Sequence, residues 1–285
     1  MTNTDLFKKI NLNYKGFTNA ERKVADYIQN NASQVIYMSI TDLADACNVG
    51  DTSVFRFCKT LKLQGYQDFK MQLAQSINND EQGTPQLTGK INRTDSMEAV
   101  AQKVLSADTN ALNETYNLMD FAKISQVVDY IISAKRVYFF GVGASLITAM
   151  EAKDIFMRIT PKVECMFDSH LQAMQASLMT EEDLAFAISY SGSTKDTIQL
   201  AKLCKQNKAR VIGITRFAKS PLTNYSDITL LCGANEGPLQ SGSLSVKISQ
   251  LYLLDVLYEE YFKRTFEISK ESKEKTSGAV LEKLY

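Results

Sequence analysis

Histidine is almost missing from this chain. Among 285 residues there is one, His170, which excludes a histidine-rich metal centre. Cysteine is sparse and unpatterned: Cys47, Cys58, Cys165, Cys204 and Cys232 are scattered with no Cys-x-x-Cys pair. That spacing fits neither a zinc site nor a disulfide framework, and points to reduced thiols in a cytoplasmic protein. Charge of one sign is missing too, since 32 basic residues balance 32 acidic ones. Global charge therefore argues neither for nor against nucleic acid, and any such partner must be read from a local patch. The longest apolar run, around residues 137–144, is far too short to span a bilayer. Residues 1–5 show no basic region followed by an apolar stretch, so no signal peptide is expected. No internal repeat or low-complexity block is present. No membrane association, cofactor or metal is expected.

The most informative stretch is Ala185-Phe-Ala-Ile-Ser189-Tyr-Ser191-Gly192-Ser193-Thr194-Lys-Asp196. It reads as a buried strand running into a loop of hydroxyls, followed at once by an amphipathic helix. A helix N-terminus presents unpaired N–H groups and the positive end of a dipole, which stabilises an anion. Ser189, Ser191, Ser193 and Thr194 add hydroxyl donors, and Gly192 lets backbone come close. The alternative is a strand–turn–helix in which these hydroxyls merely cap the helix.

Residues 1–78 read as all-helical. Thr18-x-x-Glu21 and Ser39-x-x-Asp42 carry the spacing of helix N-caps. The second opens a short helix through Leu43, Ala44 and Ala46, which Asn48-Val49-Gly50 breaks before another helix begins near Asp51. A short helix, a tight turn and a second helix form a helix-turn-helix pattern. In the second helix Val54, Phe57, Cys58 and Leu61 make the buried stripe. Thr52, Arg56 and Lys59 then face outward, with Ser53 and Phe55 at the margins. Arginine bonds guanine bidentately, lysine neutralises phosphate, and Ser or Thr near the helix start reach bases or phosphates. The alternative is a helical protein-interaction module with a solvated basic face.

The run Ser39-Ile-Thr-Asp-Leu-Ala44, followed by Thr52-Ser-Val-Phe-Arg56-Phe-Cys-Lys59-x-Leu-x-Leu-x-Gly65-Tyr66-x-x-Phe69-Lys70, resembles the N-terminal domain of RpiR-type transcription regulators. Glu21-Arg-Lys-Val-Ala-Asp-Tyr-Ile28 matches that family's opening helix. The resemblance implies binding of double-stranded operator DNA, with Ser39, Thr52, Ser53, Arg56 and Lys59 as contacts. Gly50-Asp51 departs from the family at the turn. Residues 79–95 have the Gly/Pro-containing polar composition of a linker. Beyond it, Met97, Val100, Ala101, Val104, Leu105, Ala111, Leu112, Tyr116 and Met119 form a stripe of helical period, suited either to a dimer contact or to packing on its own domain.

From residue 136 strands and helices alternate. Strands are expected at 137–140, 163–167, 184–189, 211–215 and 228–232, and helices at 145–158, 170–179 and 194–206. The expected fold is therefore an all-α helix-turn-helix domain followed, over 96–285, by an α/β domain. Its parallel five-stranded sheet is covered by helices on both faces. Ligands bind such sheets beyond the carboxyl ends of the strands. Gly141-x-Gly143 with Glu164 about twenty residues on evokes a dinucleotide fingerprint, yet Leu146 occupies the third glycine position. Two hydroxyl-bearing loops in one crevice fit a monophosphorylated small molecule better.

Residues 136–145, 188–196 and 211–215, with Glu236 and the run 243–258, resemble a sugar isomerase (SIS) domain of the RpiR type. By that resemblance Ser145, Ser189, Ser191 and Thr194 hold the phosphate, while His170, Glu236 and Lys247 face the sugar; Gly143 and Ser193 join the ligand-binding set from their place in the same two loops. Many relatives carry Arg where this chain has Lys247, an exchange of a planar fork for a point charge. An isomerase would need a base and an acid beside C1–C2, for which His170 and Glu236 are the available pair. An enzyme has no use for a recognition helix. The expectation is a homodimeric, or dimer-of-dimers, regulator of a carbohydrate-catabolism operon. It responds to a sugar phosphate such as an N-acetylhexosamine 6-phosphate; the alternative is a phosphosugar isomerase or lyase.

Overall fold

Two reciprocal capping boxes start the helices of the N-terminal part. The computed structural model describes residues 6–80, 91–234, 237, 243–281 and 283. After α1 (Leu6–Asn13), Thr18 takes the Glu21 N–H while the Glu21 carboxylate takes the Thr18 N–H, opening α2 (Asn19–Val35). Ser39 and Asp42 do the same for α3 (Ile40–Ala46). Helices α4 (Asp51–Thr60) and α5 (Tyr66–Asp80) follow. Phe57 sits at the centre of their core, its ring 5.3 Å from that of Phe17 and 6.0 Å from that of Phe69.

Glu21 also accepts the Thr60 hydroxyl at 2.6 Å, joining α2 to the end of α4. Burial alone would raise its pKa; hydrogen bonds from Thr60 and Thr18, with the Arg56 charge, bring it below the ordinary value instead.

The chain continues in α6 (Met97–Leu118) and α7 (Phe121–Ser133). Two compact units separate within α6, the first reaching Ser106 and the second beginning at Ala107. Only Ala111 and Thr115 of α6 are buried; Met97, Val104, Leu105 and Tyr116 are exposed. Most of the 79–95 linker lies outside the described residues.

In the second unit β1 (Val137–Phe140), α8 (Ala144–Met157), β2 (Val163–Glu164), α9 (Ser169–Leu178), β3 (Leu184–Ile188), α10 (Lys195–Gln206), β4 (Arg210–Thr215) and β5 (Ile228–Leu231) alternate. Helices α11 (Leu244–Arg264) and α12 (Phe266–Leu281) close the chain. All strand pairings are parallel, in the order β2-β1-β3-β4-β5. The period-two alternation of strands sorts side chains between the layers. Val137, Phe139, Leu184, Phe186 and Ile188 pack with α7, α8 and α11. Tyr138, Phe140, Ala185 and Ala187 pack with α9 and α10 on the other face.

The strand expected over 163–167 is only two residues long. Beyond Glu164 the chain turns away from the edge of the sheet: Phe167 is 77% exposed and Asp168 caps α9. Four of the five thiols are buried and all are free. Burial pushes them up to about 11 at Cys47, Cys165 and Cys232 and about 12 at Cys58 and Cys204. No helix among the described residues is long and apolar enough to cross a membrane.

Candidate functional site

Helix α4 buries Val54, Phe57 and Cys58, with Leu61 just beyond it, and exposes Thr52, Arg56 and Lys59 on its other side. Ser53 is half-buried, and Phe55 is exposed beneath the Lys59 ammonium, 5.3 Å from its ring centroid. The turn before α4 is made by Asn48, which adopts the left-handed φ of 51°. Gly50 has φ −85° and offers no side-chain cap. Asp51 accepts the Thr41 hydroxyl at 2.9 Å and so braces α3 against α4.

Ser39 is corrected by its surroundings. It is 3% exposed and its hydroxyl accepts the Asp42 N–H at 2.9 Å, so it holds the start of α3 and presents nothing outward. Ser39→Ala is expected to cost about 1 kcal/mol of stability, read from urea unfolding, while leaving duplex affinity unchanged in a gel-shift titration.

The second set of residues gathers where β1–β5 end. After β3, Gly192 takes the left-handed φ of 59° and its N–H returns to the Ser189 carbonyl at 3.0 Å. The Ser189 and Thr194 hydroxyls share a hydrogen bond of 3.1 Å, and Ser191 Oγ accepts the Ser193 N–H. Thr194 stands at the N-cap of α10 without a side-chain capping bond. The loop is therefore bonded to itself, which removes the reading of Thr194 as a simple helix cap. After β1, Gly143 has φ 58° and opens α8, with half-buried Ser145 in its first turn. Two helix N-termini, α8 and α10, thus follow neighbouring central strands at the carboxyl ends of the sheet.

His170 is exposed in the first turn of α9, whose cap Asp168 takes the N–H groups of His170 and Leu171. What brings this turn to the Gly141 loop is Gln172, fully buried. Its Nε2 donates to the carbonyls of Gly141 and Met166, both at 3.0 Å, and its Oε1 accepts the Gly141 N–H. Sequence reasoning missed Gln172; the available signal was a polar residue one helical turn before Ala176 on the buried stripe.

Lys247 is half-buried in the opening turn of α11. One turn on, Gln250 accepts the Thr148 hydroxyl of α8 at 2.9 Å, tying the two helices together. Glu236 lies outside the described residues. Among those described, no group of three His, Cys, Asp or Glu side chains converges as metal ligands.

A helix-turn-helix domain model of the rpiR family matches residues 4–80, and a SIS domain model matches residues 130–260. A Haemophilus influenzae protein described as an HTH-type transcriptional regulator is 34% identical over 98% of this chain and 97% of its own length. The HexR regulator of Pseudomonas aeruginosa is 35% identical over 89% of this chain and 87% of its own.

The chain belongs to the RpiR family of transcriptional regulators.

An RpiR-family chain of this kind is a regulator and not an isomerase, in keeping with relatives named as regulators that it matches over 87–97% of their length. Among solved structures, the Vibrio vulnificus NanR protein complexed with ManNAc-6P has a TM-score of 0.87 and 31% identity. That likeness covers 98% of this chain and 99% of the NanR chain. In this RpiR-family fold, the carboxyl edge of the SIS sheet carries Gly143, Ser145, His170 and the 189–194 loop.

Proposed function

We propose that the chain is a cytoplasmic repressor of a carbohydrate-catabolism operon, released from its operator by a sugar phosphate. The phosphate sits between the N-termini of α8 and α10. Ser145, Ser189, Ser191, Ser193 and Thr194 provide hydroxyls, and Gly143 permits close backbone approach. The observation that carries this reading is the loop after β3: four hydroxyls are gathered there, and Thr194 at the N-cap leaves α10 without a side-chain cap. His170, Lys247 and Glu236 recognise the sugar. The ManNAc-6P held by NanR supports an N-acetylhexosamine 6-phosphate as the class of effector.

Thr52, Ser53, Arg56 and Lys59 on α4 meet the major groove of double-stranded DNA. A homodimer, or a dimer of dimers, sets two such helices on a near-palindromic site. The exposed apolar residues of α6 support its use as a contact between copies.

The test is a thermal-shift panel of N-acetylmannosamine 6-phosphate, glucose 6-phosphate, unphosphorylated N-acetylmannosamine and inorganic phosphate. A ligand at about a hundred times its Kd stabilises by about 2.7 kcal/mol. Phosphorylated sugars are expected to shift the wild-type chain and to leave the Ser189→Ala/Ser191→Ala variant unmoved. A double variant that still shifts would remove this loop from the phosphate site. Turnover of the sugar phosphate, followed by NMR, would reinstate the isomerase.

A further inference from the structure

The two residues after the buried Cys232 are held in an unusual way. Gly233 N–H donates to Thr115 Oγ1 at 2.8 Å, and the Gly233 carbonyl accepts Ser249 Oγ at 3.1 Å. Ala234 N–H donates to Glu114 Oε2 at 3.1 Å, and the Ala234 carbonyl accepts the Tyr190 hydroxyl at 3.0 Å. Every backbone polar group of this pair is thus taken by a side chain, from α6, α11 or the 189–194 loop. Sheet neighbours hold none of these groups in place.

Ala234 adopts φ 75°, a left-handed conformation that residues with a Cβ rarely take and that persists only where the surroundings impose it. Gly233 lies against α6 so closely that an added Cβ would stand 2.6 Å from Glu114 Cβ and 2.7 Å from the Thr115 nitrogen. A second tie reaches the same carboxylate: Arg216, just after β4, lies 3.9 Å from Glu114 Oε2. The Arg216 N–H and the Thr215 hydroxyl both hold the Tyr190 carbonyl at 3.0 Å, inside the hydroxyl loop.

We propose that Glu114 and Thr115 are the output residues of the effector site: α6 reads the 189–194 loop through Tyr190, Arg216 and the Gly233-Ala234 peptide. This rests on the reading of that loop as the phosphate site. A phosphate bound there draws on the backbone of Tyr190 and Ser191. That motion reaches Ala234 through the Tyr190 hydroxyl and Glu114 through Arg216. Helix α6 is continuous from Met97 to Leu118 and so crosses the division at Ser106. A ligand shifts an equilibrium only by its differential interaction with the two states, and the left-handed Ala234, held by side chains from three elements, is where such a difference would be felt.

The test uses the full-length chain with Glu114→Ala/Thr115→Val. The first change keeps the Cβ that packs on Gly233, and the second keeps the volume of Thr115. N-acetylmannosamine 6-phosphate is the probe, titrated calorimetrically, and a duplex selected from a random pool serves as operator. In the wild type the probe is expected to change duplex affinity by about 5–150-fold. In the variant, probe Kd and probe-free duplex affinity stay within about threefold of wild type, while the change produced by the probe falls below about threefold. A full response in the variant overturns the proposal, and so does loss of probe binding, which would make these residues part of the ligand site itself. Should the double variant unfold, Glu114→Ala alone provides the same readout, since it removes the acceptor of the Ala234 N–H and the charge facing Arg216. A wild-type chain that takes up no sugar phosphate overturns the reading of the loop first and this proposal with it. That outcome is distinguishable because it appears without any substitution.

Discussion

Gly192→Ala is expected to abolish sugar-phosphate binding and to lower the melting temperature. Its φ of 59° costs a residue with a Cβ roughly 1–2 kcal/mol before any contact is considered. The contacts are worse than the dihedral. An added Cβ would stand 2.1 Å from Ser220 Oγ, 2.5 Å from Ser220 Cβ and 3.0 Å from Thr215 Oγ1. Neither neighbour can move aside freely. Ser220 is buried and bonded to Thr223 through its N–H and carbonyl, and Thr215 is fully buried with its hydroxyl on the Tyr190 carbonyl.

The loop itself must therefore shift, and with it Ser191, Ser193 and the start of α10. A loss of more than about 100-fold in affinity, near 2.7 kcal/mol, is expected by calorimetry with N-acetylmannosamine 6-phosphate. Ser220→Gly removes both of the nearest atoms, so Gly192→Ala/Ser220→Gly should recover part of the melting temperature and part of the affinity. Wild-type affinity in the single variant would take the 189–194 loop out of the effector site.

Removing both outward cations of α4 is the second large effect. Arg56→Ala with Lys59→Ala is expected to weaken binding to the selected duplex by roughly 1–3 kcal/mol for a base contact of Arg56, with a further salt-dependent loss for a phosphate contact of Lys59. Alanine is the informative replacement, because a carboxylate at position 56 would sit in the field of the buried Glu21. Both residues are exposed; the internal interactions lost are the Arg56 charge near Glu21 and the Lys59 Nζ bond to the Gln64 carbonyl at 2.8 Å, so a modest fall of the unfolding midpoint is expected. Fluorescence anisotropy at two salt concentrations separates the roles. A phosphate contact lowers the salt slope by about 0.9 when removed, whereas a base contact lowers affinity for the selected duplex more than for random DNA. Unchanged affinity in the double variant would place the DNA contact elsewhere.

Local rules made the N-terminal unit legible. Thr18, Glu21, Ser39 and Asp42 cap helices within four residues of themselves, and the stripe Val54, Phe57, Cys58 follows the period of the helix. Such signals need no distant partner. Ser39 shows their limit, since spacing alone does not say whether a capping hydroxyl also faces outward. Asn48 shows another: Gly50 draws attention as the flexible residue of the turn, yet the left-handed residue is its neighbour but one.

The sheet was legible where strands are central and obscure at its edge. β1 and β3 are buried over their whole length, and β4 from Val211 on, because both faces are covered. β2 pairs on one side only and ends once Asp168 caps the next helix, so the apolar residues after Glu164 mislead.

By itself, the sequence determined the helix caps, the order of strands and helices, the hydroxyl loop after β3 and the outward cations of α4. Each of these depends on residues a few positions apart. Tertiary structure alone decided what holds the crevice together. Gln172 reaches back 31 positions to Gly141, and Thr115 and Glu114 meet Gly233 and Ala234 at separations of 118 and 120. A buried backbone group must find a partner wherever the fold brings one, and no local pattern announces a partner that arrives from so far along the chain.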